Sequence, residues 1–248
     1  MRLRLIILVL SILAFLSAST GGYFYYDSLR EAAFYEAVRL TVTRIALIKK
    51  NLSSYLSENI KAVKVLAGMD DMLEMLVRPG TIAQNRANAV LDLFKASLET
   101  DVCYLMNHEG VTIASSNRNA PDSFVGKNFA FRPYFQQAIH SAPSTYLALG
   151  TTSKKRGVYY SFPVFEKGED TPIGLVVIKG SIEEIEKKIS FSEDEIVLVT
   201  DPSGVIFISS RKDWLFQTTK KLSKADERRI LQSRQFGQGP WLWTGLIF

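Results

Sequence analysis

The sequence predicts an α+β protein: an N-terminal transmembrane helix and a long stalk helix, followed by two tandem antiparallel-sheet lobes of which the second is incomplete. Three observations predict this class: an uncharged apolar N-terminus, a long helical pattern without proline, and a strand–turn–strand motif that occurs twice. The expected domains are residues 1–26 for the cytoplasmic tip and anchor, 27–100 for the stalk and a second helix, 101–190 for a membrane-distal lobe and 191–248 for a membrane-proximal lobe.

The N-terminal stretch has the length and the flanks of a membrane anchor. The 22 residues Leu5–Tyr26 carry no charge and end in four aromatic residues, whereas roughly 20 apolar residues suffice to span the hydrocarbon. Arg2 and Arg4 precede them, which places the N-terminus in the cytoplasm. A cleaved signal peptide, cut near the small residues of "FLSAS", is the alternative. Both interpretations send the rest of the chain outside the cytoplasm.

Composition disfavours several classes of function. The net charge of +5 comes from Lys and Arg residues scattered among acids, which argues against nucleic-acid binding. Cys103 is the only cysteine, so no internal disulfide is possible. His108 and His140 lack the spacing of metal ligands and have no serine in a G-x-S-x-G context. We therefore expect no catalytic residues, no metal and no cofactor.

After the anchor, the segment Asp27–Arg78 has the pattern of one helix, roughly 78 Å long, which Pro79-Gly80 ends. A second helix is expected over Thr81–Thr100. The long helix carries a heptad seam, which fits either a dimer interface in a signalling stalk or packing on its own lobe, and the two are compatible. The seam residues are Ile45, Ile48, Leu52, Tyr55, Asn59, Ala62 and Leu66.

An internal repeat follows. Residues 102–116 read "VCYLMNHEGVTIASS" and residues 196–210 read "IVLVTDPSGVIFISS", 94 positions later. Each combines an apolar strand, an Asn or Asp turn with a glycine three residues on, a second strand and Ser-Ser, which predicts a hairpin. Two tandem lobes of the same mixed type are therefore expected, each opening with this hairpin.

The first copy continues with a short helix and three strands, which gives a five-stranded antiparallel sheet of the PAS-like plan. The second copy has a helix, and the sequence then ends at Phe248 before three strands could follow. Either "WLWTGLIF" replaces those strands, or the sequence is a piece of a longer protein, which we favour. The predicted elements are helix Arg132–Ile139 and strands Tyr146–Thr151, Val158–Val164 and Ile173–Lys179 in the first copy, and helix Ser223–Ser233 in the second.

Residues 131–164 collect cations and hydroxyls without any Asp or Glu. On the strand after Gly157, Tyr159 and Ser161 share one face because side chains alternate. Guanidinium groups bind carboxylates through two parallel hydrogen bonds, so several cations in one pocket suit a dianion. The structural alternative is that Arg132 pairs with Asp122 or caps its helix, and that residues 154–156 form a solvated turn.

Five segments carry a specific resemblance: "GKNFAFRPYFQQAI", "LALGTTSKKRGVYYSFPV", "GLVVIKG", "VTDPSGVIFISSRKDWLFQTT" and "ILQSRQFG". In this order they resemble the periplasmic sensor region of DctB-type dicarboxylate sensor histidine kinases, a double PAS-like, or double Cache, sensor. The resemblance implies a bacterial inner-membrane receptor, of which this sequence carries one span at its N-terminus. It also implies a periplasmic distal lobe that binds succinate, malate or fumarate, and a homodimer formed through the stalk. It carries over seven ligand-binding residues: Arg132, Tyr134, Thr152, Arg156, Tyr159, Ser161 and Lys179.

Two departures qualify what the resemblance implies. The sequence lacks the second membrane helix and the dimerisation and ATP-binding segments of that family, so we expect it to sense without phosphorylating. The "SKKRG" loop is also more basic than expected, which leaves the preferred acid open. The alternative function is a sensor of the same fold for an amino acid or monocarboxylate, with a chemoreceptor or other output. An α-amino group would need a pocket carboxylate, which residues 131–164 lack.

Overall fold

The computed structural model describes residues 2–189 and 195–246. Three helices come first: α1 (Arg2–Ala67), α2 (Asp70–Val77) and α3 (Thr81–Leu98). The helix predicted to run to Arg78 is therefore two helices. The break lies at Gly68, whose N–H still bonds back to Lys64 and Val65, while the next residue is already extended. Glycine is the poorest helix former after proline, which accounts for the position of the break.

The chain divides into two compact units, residues 1–51 and 52–248. In the first unit, α1 is long and apolar enough to cross a membrane, as predicted. Ile45, in the N-terminal half of the heptad seam, is 59% exposed. In the second unit, Asn59 and Leu66 of the same seam are buried. The C-terminal half of the seam therefore packs on the chain's own lobe.

The first lobe, which we name the distal lobe after its predicted place, contains the predicted five-stranded sheet. Its elements are β1 Val102–Asn107, β2 Thr112–Ser115, α4 Pro133–Ala138, β3 Ser144–Leu149, β4 Arg156–Phe165 and β5 Pro172–Ser181. The strands pair antiparallel in the order β2-β1-β5-β4-β3, and α4 packs against β3 and β4. The hairpin strands β1 and β2 lie at one side of the sheet and β3 at the other.

Two neighbouring rows of side chains cross this sheet on the same face. In the first row, Lys179 is the cross-strand partner of Tyr159, and Tyr159 is the partner of Tyr146. Tyr104 and Ser161 belong to the second row, joined through Val177. We call this side the ligand face. The opposite side, the stalk face, carries Tyr160 and Phe162, and the C-terminal part of α1 packs there, with the Lys64 ammonium 6.0 Å from the Phe162 ring centroid.

After α5 (Ile182–Ile189), the second lobe, named the proximal lobe after its predicted place, contains β6 (Leu198–Thr200), β7 (Ile206–Ser209) and α6 (Lys224–Ser233). The predicted hairpin repeat is present in both lobes with the same turn. Asn107 and Asp201 each accept, at Oδ1, a hydrogen bond from the backbone N–H four residues later, at 2.9 and 2.8 Å. Gly110 and Gly204 have φ values of +84° and +91°, which favour glycine.

The segment "WLWTGLIF" runs beside the residues that follow β7. Thr218 donates its N–H to the Leu242 carbonyl at 2.8 Å and accepts from the Thr244 N–H at 2.9 Å, which forms a parallel bridge to Trp243. The last two residues of the segment lie outside the described part of the chain, as does the predicted lobe boundary at residues 190 and 191.

Candidate ligand-binding site

Four tyrosines form a cluster on the ligand face. The rings of Tyr134, from α4, and Tyr159, from β4, stack with centroids 5.2 Å apart and planes 3° from parallel. The Tyr146 ring centroid is 6.2 Å from that of Tyr134, and the Tyr104 hydroxyl donates to the Tyr134 hydroxyl at 2.8 Å. Burial raises the pKa of Tyr134 to about 12 and raises the pKa values of Tyr104 and Tyr159 as well. At neutral pH, therefore, these side chains are neutral hydrogen-bond donors.

Tyr146 is a candidate site residue that the sequence argument missed, although its strand was predicted. Its hydroxyl is buried and has no hydrogen-bond partner among the described residues. Burial raises the pKa of Tyr146. The nearby Ser233 and Arg132 side chains lower it, but by less than burial raises it. A buried donor without a partner is unfavourable unless something else supplies an acceptor. The signal that could have found it is its pairing with Tyr159.

Arg132 lies at the start of α4, with 1% of the residue exposed. Its guanidinium donates to three backbone carbonyls: Leu149 at 2.8 Å, Arg234 at 3.1 Å and Ser233 at 3.2 Å. No carboxylate of the described residues pairs with it, so the alternative of an ion pair with Asp122 is not what the structure shows. Because the guanidinium has five N–H donors, these three bonds leave two donors without a hydrogen-bond acceptor among the described residues.

Lys179 is the second buried cation of the ligand face. Its side chain is 1% exposed, and its Nζ lies 2.6 Å from Asp101 Oδ2. The aliphatic part of the Lys179 side chain passes over Gly157, where an added Cβ would lie 2.7 Å from the lysine Cε. The expectation of a pocket without a carboxylate is corrected here. Asp101 stands just before β1, outside residues 131–164, and reaches the lysine because its backbone N–H bonds to the Lys179 carbonyl at 2.9 Å.

Ser161 and Thr152 border the cluster in different ways. Ser161 is fully buried, and its hydroxyl donates to the Tyr134 carbonyl at 2.9 Å, which fixes α4 on β4. Thr152 is half-buried in the turn after β3. That turn folds tightly at Gly150, where a Cβ would lie 3.1 Å from the Tyr159 hydroxyl. Thr152 is therefore on the turn that the Tyr159 hydroxyl approaches.

Arg156 does not join this group. It sits on β4 an odd number of residues from Tyr159, so its side chain lies on the stalk face. Its guanidinium holds both Glu186 oxygens, at 2.8 and 3.1 Å, and donates to the Phe207 carbonyl at 2.7 Å. Lys212 Nζ is 2.5 Å from the same carboxylate. Burial acts to raise the pKa of Glu186, but the hydrogen bonds from Arg156 and Lys212 outweigh it and hold the pKa below its usual range.

The structure therefore brings together five of the seven predicted residues. Arg132, Tyr134, Tyr159, Ser161 and Lys179 lie on or against the ligand face, Thr152 is in the adjoining turn, and Arg156 is on the other side of the sheet. A buried guanidinium without a carboxylate partner among the described residues, a cluster of neutral hydroxyl donors and a second buried cation together make an environment suited to an anionic ligand.

Comparison with known proteins assigns the class. The Cache domain family matches residues 28–244, and the chain therefore belongs to the Cache domain family of sensor domains. Within it, the chain is 36% identical, over 181 residues, to the C4-dicarboxylate transport sensor protein DctB of Pseudomonas aeruginosa. This match covers 73% of the chain and 29% of that relative, so the chain spans less than a third of the relative's length.

Solved structures agree with this assignment. The crystal structure of the V. cholerae histidine kinase DctB sensor domain matches with a TM-score of 0.79 and 30% identity, covering 85% of this chain and 81% of that one. The ligand-binding domain of the Campylobacter jejuni chemoreceptor Tlp3, in complex with 4-methylisoleucine, matches with a TM-score of 0.57 and 17% identity, covering 69% of each chain. The second match shows a shared fold only. The prediction of a DctB-type sensor with a PAS-like Cache fold is confirmed.

Proposed function

We propose that this chain is the extracytoplasmic ligand-sensing region of a membrane receptor, and that its distal lobe binds a small dicarboxylate of the succinate, malate or fumarate class. The observation that carries the proposal is the buried Arg132 guanidinium, which has no carboxylate partner among the described residues and two N–H donors to spare. The similarity to DctB proteins supports the choice of ligand class.

The proposed contacts follow from the donors on the ligand face. One ligand carboxylate binds the free donors of Arg132 and the unpartnered Tyr146 hydroxyl. The other carboxylate binds Lys179, which Asp101 holds in place. Tyr134 and Tyr159 form an aromatic wall, and Ser161 positions Tyr134 rather than touching the ligand. Thr152 adds a hydroxyl from its turn.

The proposal extends to the membrane and to a second copy. The N-terminal helix anchors the chain in the bacterial inner membrane, and the lobes lie in the periplasm. The exposed first half of the heptad seam, including Ile45, pairs with the same seam of a second copy to form a homodimer. In the complete receptor, the stalk passes the signal to the kinase part of a two-component system.

A second candidate is an amino-acid sensor, and one observation favours it. Asp101 supplies a carboxylate beside Lys179, and a ligand ammonium could take this carboxylate as its partner. The two candidates differ in what they predict for neutral amino acids, which carry one carboxylate and one ammonium.

The test is a binding panel on the full chain in detergent micelles, read by thermal shift and calorimetry. The panel contains succinate, malate, fumarate, acetate and leucine. A ligand at one hundred times its Kd adds about 2.7 kcal/mol to stability. We expect strong stabilisation by the three diacids, weaker stabilisation by acetate, which fills one carboxylate position only, and none by leucine. Arg132→Ala should abolish the stabilisation, while the control Arg118→Ala, which removes an arginine paired with Asp92, should not.

Two other results would change the assignment. Stabilisation by leucine in preference to the diacids would favour the amino-acid candidate. A cooperative melt that no member of the panel shifts would contradict both candidates.

A further inference from the structure

Arg132 belongs to a joint between the two lobes, which we define by the end of β3 and the two residues after α6, Arg234 and Gln235. The Leu149 N–H donates to the Gln235 carbonyl at 2.8 Å. In return, the Gln235 side-chain amide donates to the Leu147 carbonyl at 2.9 Å. The proximal lobe is thus hydrogen-bonded to β3, the edge strand of the distal sheet, next to the proposed site.

Arg132 supplies a cation from the distal lobe at the C-terminal end of α6. The last turn of that helix has no basic residue of its own, and its C-cap, Arg234, is left-handed at φ +51°. The carbonyls of Ser233 and Arg234, which carry the partial negative charge of the helix end, instead accept from the Arg132 guanidinium. A side chain of the distal lobe therefore stabilises the end of a proximal helix.

The joint is not closely packed on its solvent side. A half-open cleft of about 600 Å³ separates its two edges. One edge includes Gly150, Thr151 and Lys154, and the other includes Leu231, Arg234 and Gly237. The two edges therefore have room to move relative to each other, while the hydrogen bonds beneath them hold the present arrangement.

We infer that ligand binding at Arg132 tightens this joint, so that the C-terminal end of α6 responds to occupancy of the distal site. The inference rests on the proposed function, because it uses the same arginine as the carboxylate contact. A long flexible side chain loses rotamer freedom when it is fixed. The bonds to Leu149, Ser233 and Arg234 already fix the guanidinium, and its two spare donors point to simultaneous binding of a carboxylate. Binding of the ligand carboxylate and contact between Arg132 and the end of α6 therefore favour each other.

The first test is hydrogen exchange of the full chain in detergent micelles, with and without saturating succinate. We expect slower exchange at the amides of residues 233–236 when succinate is bound. The hairpin amides of residues 204–209, in the same lobe but outside the joint, serve as the internal reference and should not change.

The second test uses the reciprocity of coupled equilibria. Gln235→Ala removes the side-chain bond to Leu147 without touching the proposed ligand contacts, and it should weaken succinate binding about threefold, within the range of one neutral hydrogen bond. The matched control is Gln217→Ala, which removes a similar amide-to-carbonyl bond, at 2.8 Å, from Gln217 to Asp213 of the proximal lobe. It should leave the affinity unchanged.

The outcomes separate this inference from the proposed function. Succinate binding with slower exchange at residues 233–236, together with weaker binding by Gln235→Ala alone, supports the inference. Binding with unchanged or faster exchange there, or equal affinities of the two glutamine variants, overturns the inference and leaves the proposed function standing. Absence of binding by any diacid overturns both.

Discussion

The two faces of the distal sheet hold buried arginines in different surroundings. On the ligand face, the hydrogen bonds of Arg132 to the described residues all go to backbone carbonyls and leave two of its five N–H donors. On the stalk face, Arg156 is neutralised by both oxygens of Glu186. Both arginines also reach the proximal lobe, Arg132 at the end of α6 and Arg156 at the Phe207 carbonyl. The partner of a buried cation, rather than its burial or charge, therefore distinguishes a candidate ligand contact from an internal structural bond.

The largest expected effect is on the stalk face. Arg156→Ala leaves Glu186 in a buried position, with Lys212 as the one cation of the described residues that still pairs with it. Breaking a buried pair from one side costs about 3 kcal/mol or more, which lowers Tm by roughly 6–12 °C for a domain of this size. The affinity of the folded protein for succinate should stay within about twofold of the wild-type value, because Arg156 faces away from the site. Thermal melts and calorimetry of the full chain in micelles measure both.

A double variant separates the buried charge from the rest of the interaction. Arg156→Met with Glu186→Leu removes both ionised groups, and replacing a buried pair by apolar side chains is often close to neutral. We expect it to regain most of the stability lost in Arg156→Ala. Loss of succinate binding in either variant, at a temperature where the protein is folded, would mean that Arg156 contributes to the ligand site. The two arginines would then not differ in function.

An intermediate effect is expected at the second cation of the ligand face. Lys179→Met keeps the aliphatic contact over Gly157 and removes the ammonium. If Lys179 binds the second carboxylate, succinate affinity should fall at least tenfold, about 1.4 kcal/mol, whereas acetate affinity should change by less than about twofold. Calorimetric titration of both acids measures the ratio.

The control for Lys179→Met concerns Asp101, which loses its ion-pair partner in that variant. Asp101 would otherwise stand near the site with its charge uncompensated. Combining Lys179→Met with Asp101→Asn removes both charges, and the preference for diacids should still be lost. An equal loss for succinate and acetate would argue that Lys179 fixes the local structure through Asp101 and does not contact a second carboxylate.

Local patterns predicted the parts of this structure that depend on near neighbours. The Asn107 and Asp201 turns form within four residues of chain, and the repeat therefore identified both hairpins. Strand alternation likewise placed Tyr159 and Ser161 on one face. The helix break at Gly68 was missed because one glycine is compatible with a helix, and packing decides whether the helix continues.

The partners of the cations depend on distant residues and were not predictable in the same way. Arg132 meets Ser233 about a hundred positions along the chain, and Arg156 meets Glu186 thirty positions along. Alternation could have excluded Arg156, but only with the correct strand start, since β4 begins at Arg156 and not at the predicted Val158. Sequence thus supplied the chemistry of the site, while tertiary contacts decided which cation remained available.

The smallest expected effect is a pH dependence confined to the stalk face. The hydrogen bonds from Arg156 and Lys212 hold the pKa of Glu186 below its usual value of 4.5 in the folded chain, against the opposing effect of burial. When the pH falls through 4.5, the unfolded chain takes up this proton before the folded one does, so the contribution of Glu186 to stability is present above that pH and is lost below it. Melting curves from pH 7 to pH 3 should therefore show a steeper loss of Tm in the wild type than in Glu186→Gln. A steeper loss in the variant, or no difference, would mean that the carboxylate is not what distinguishes the two arginines.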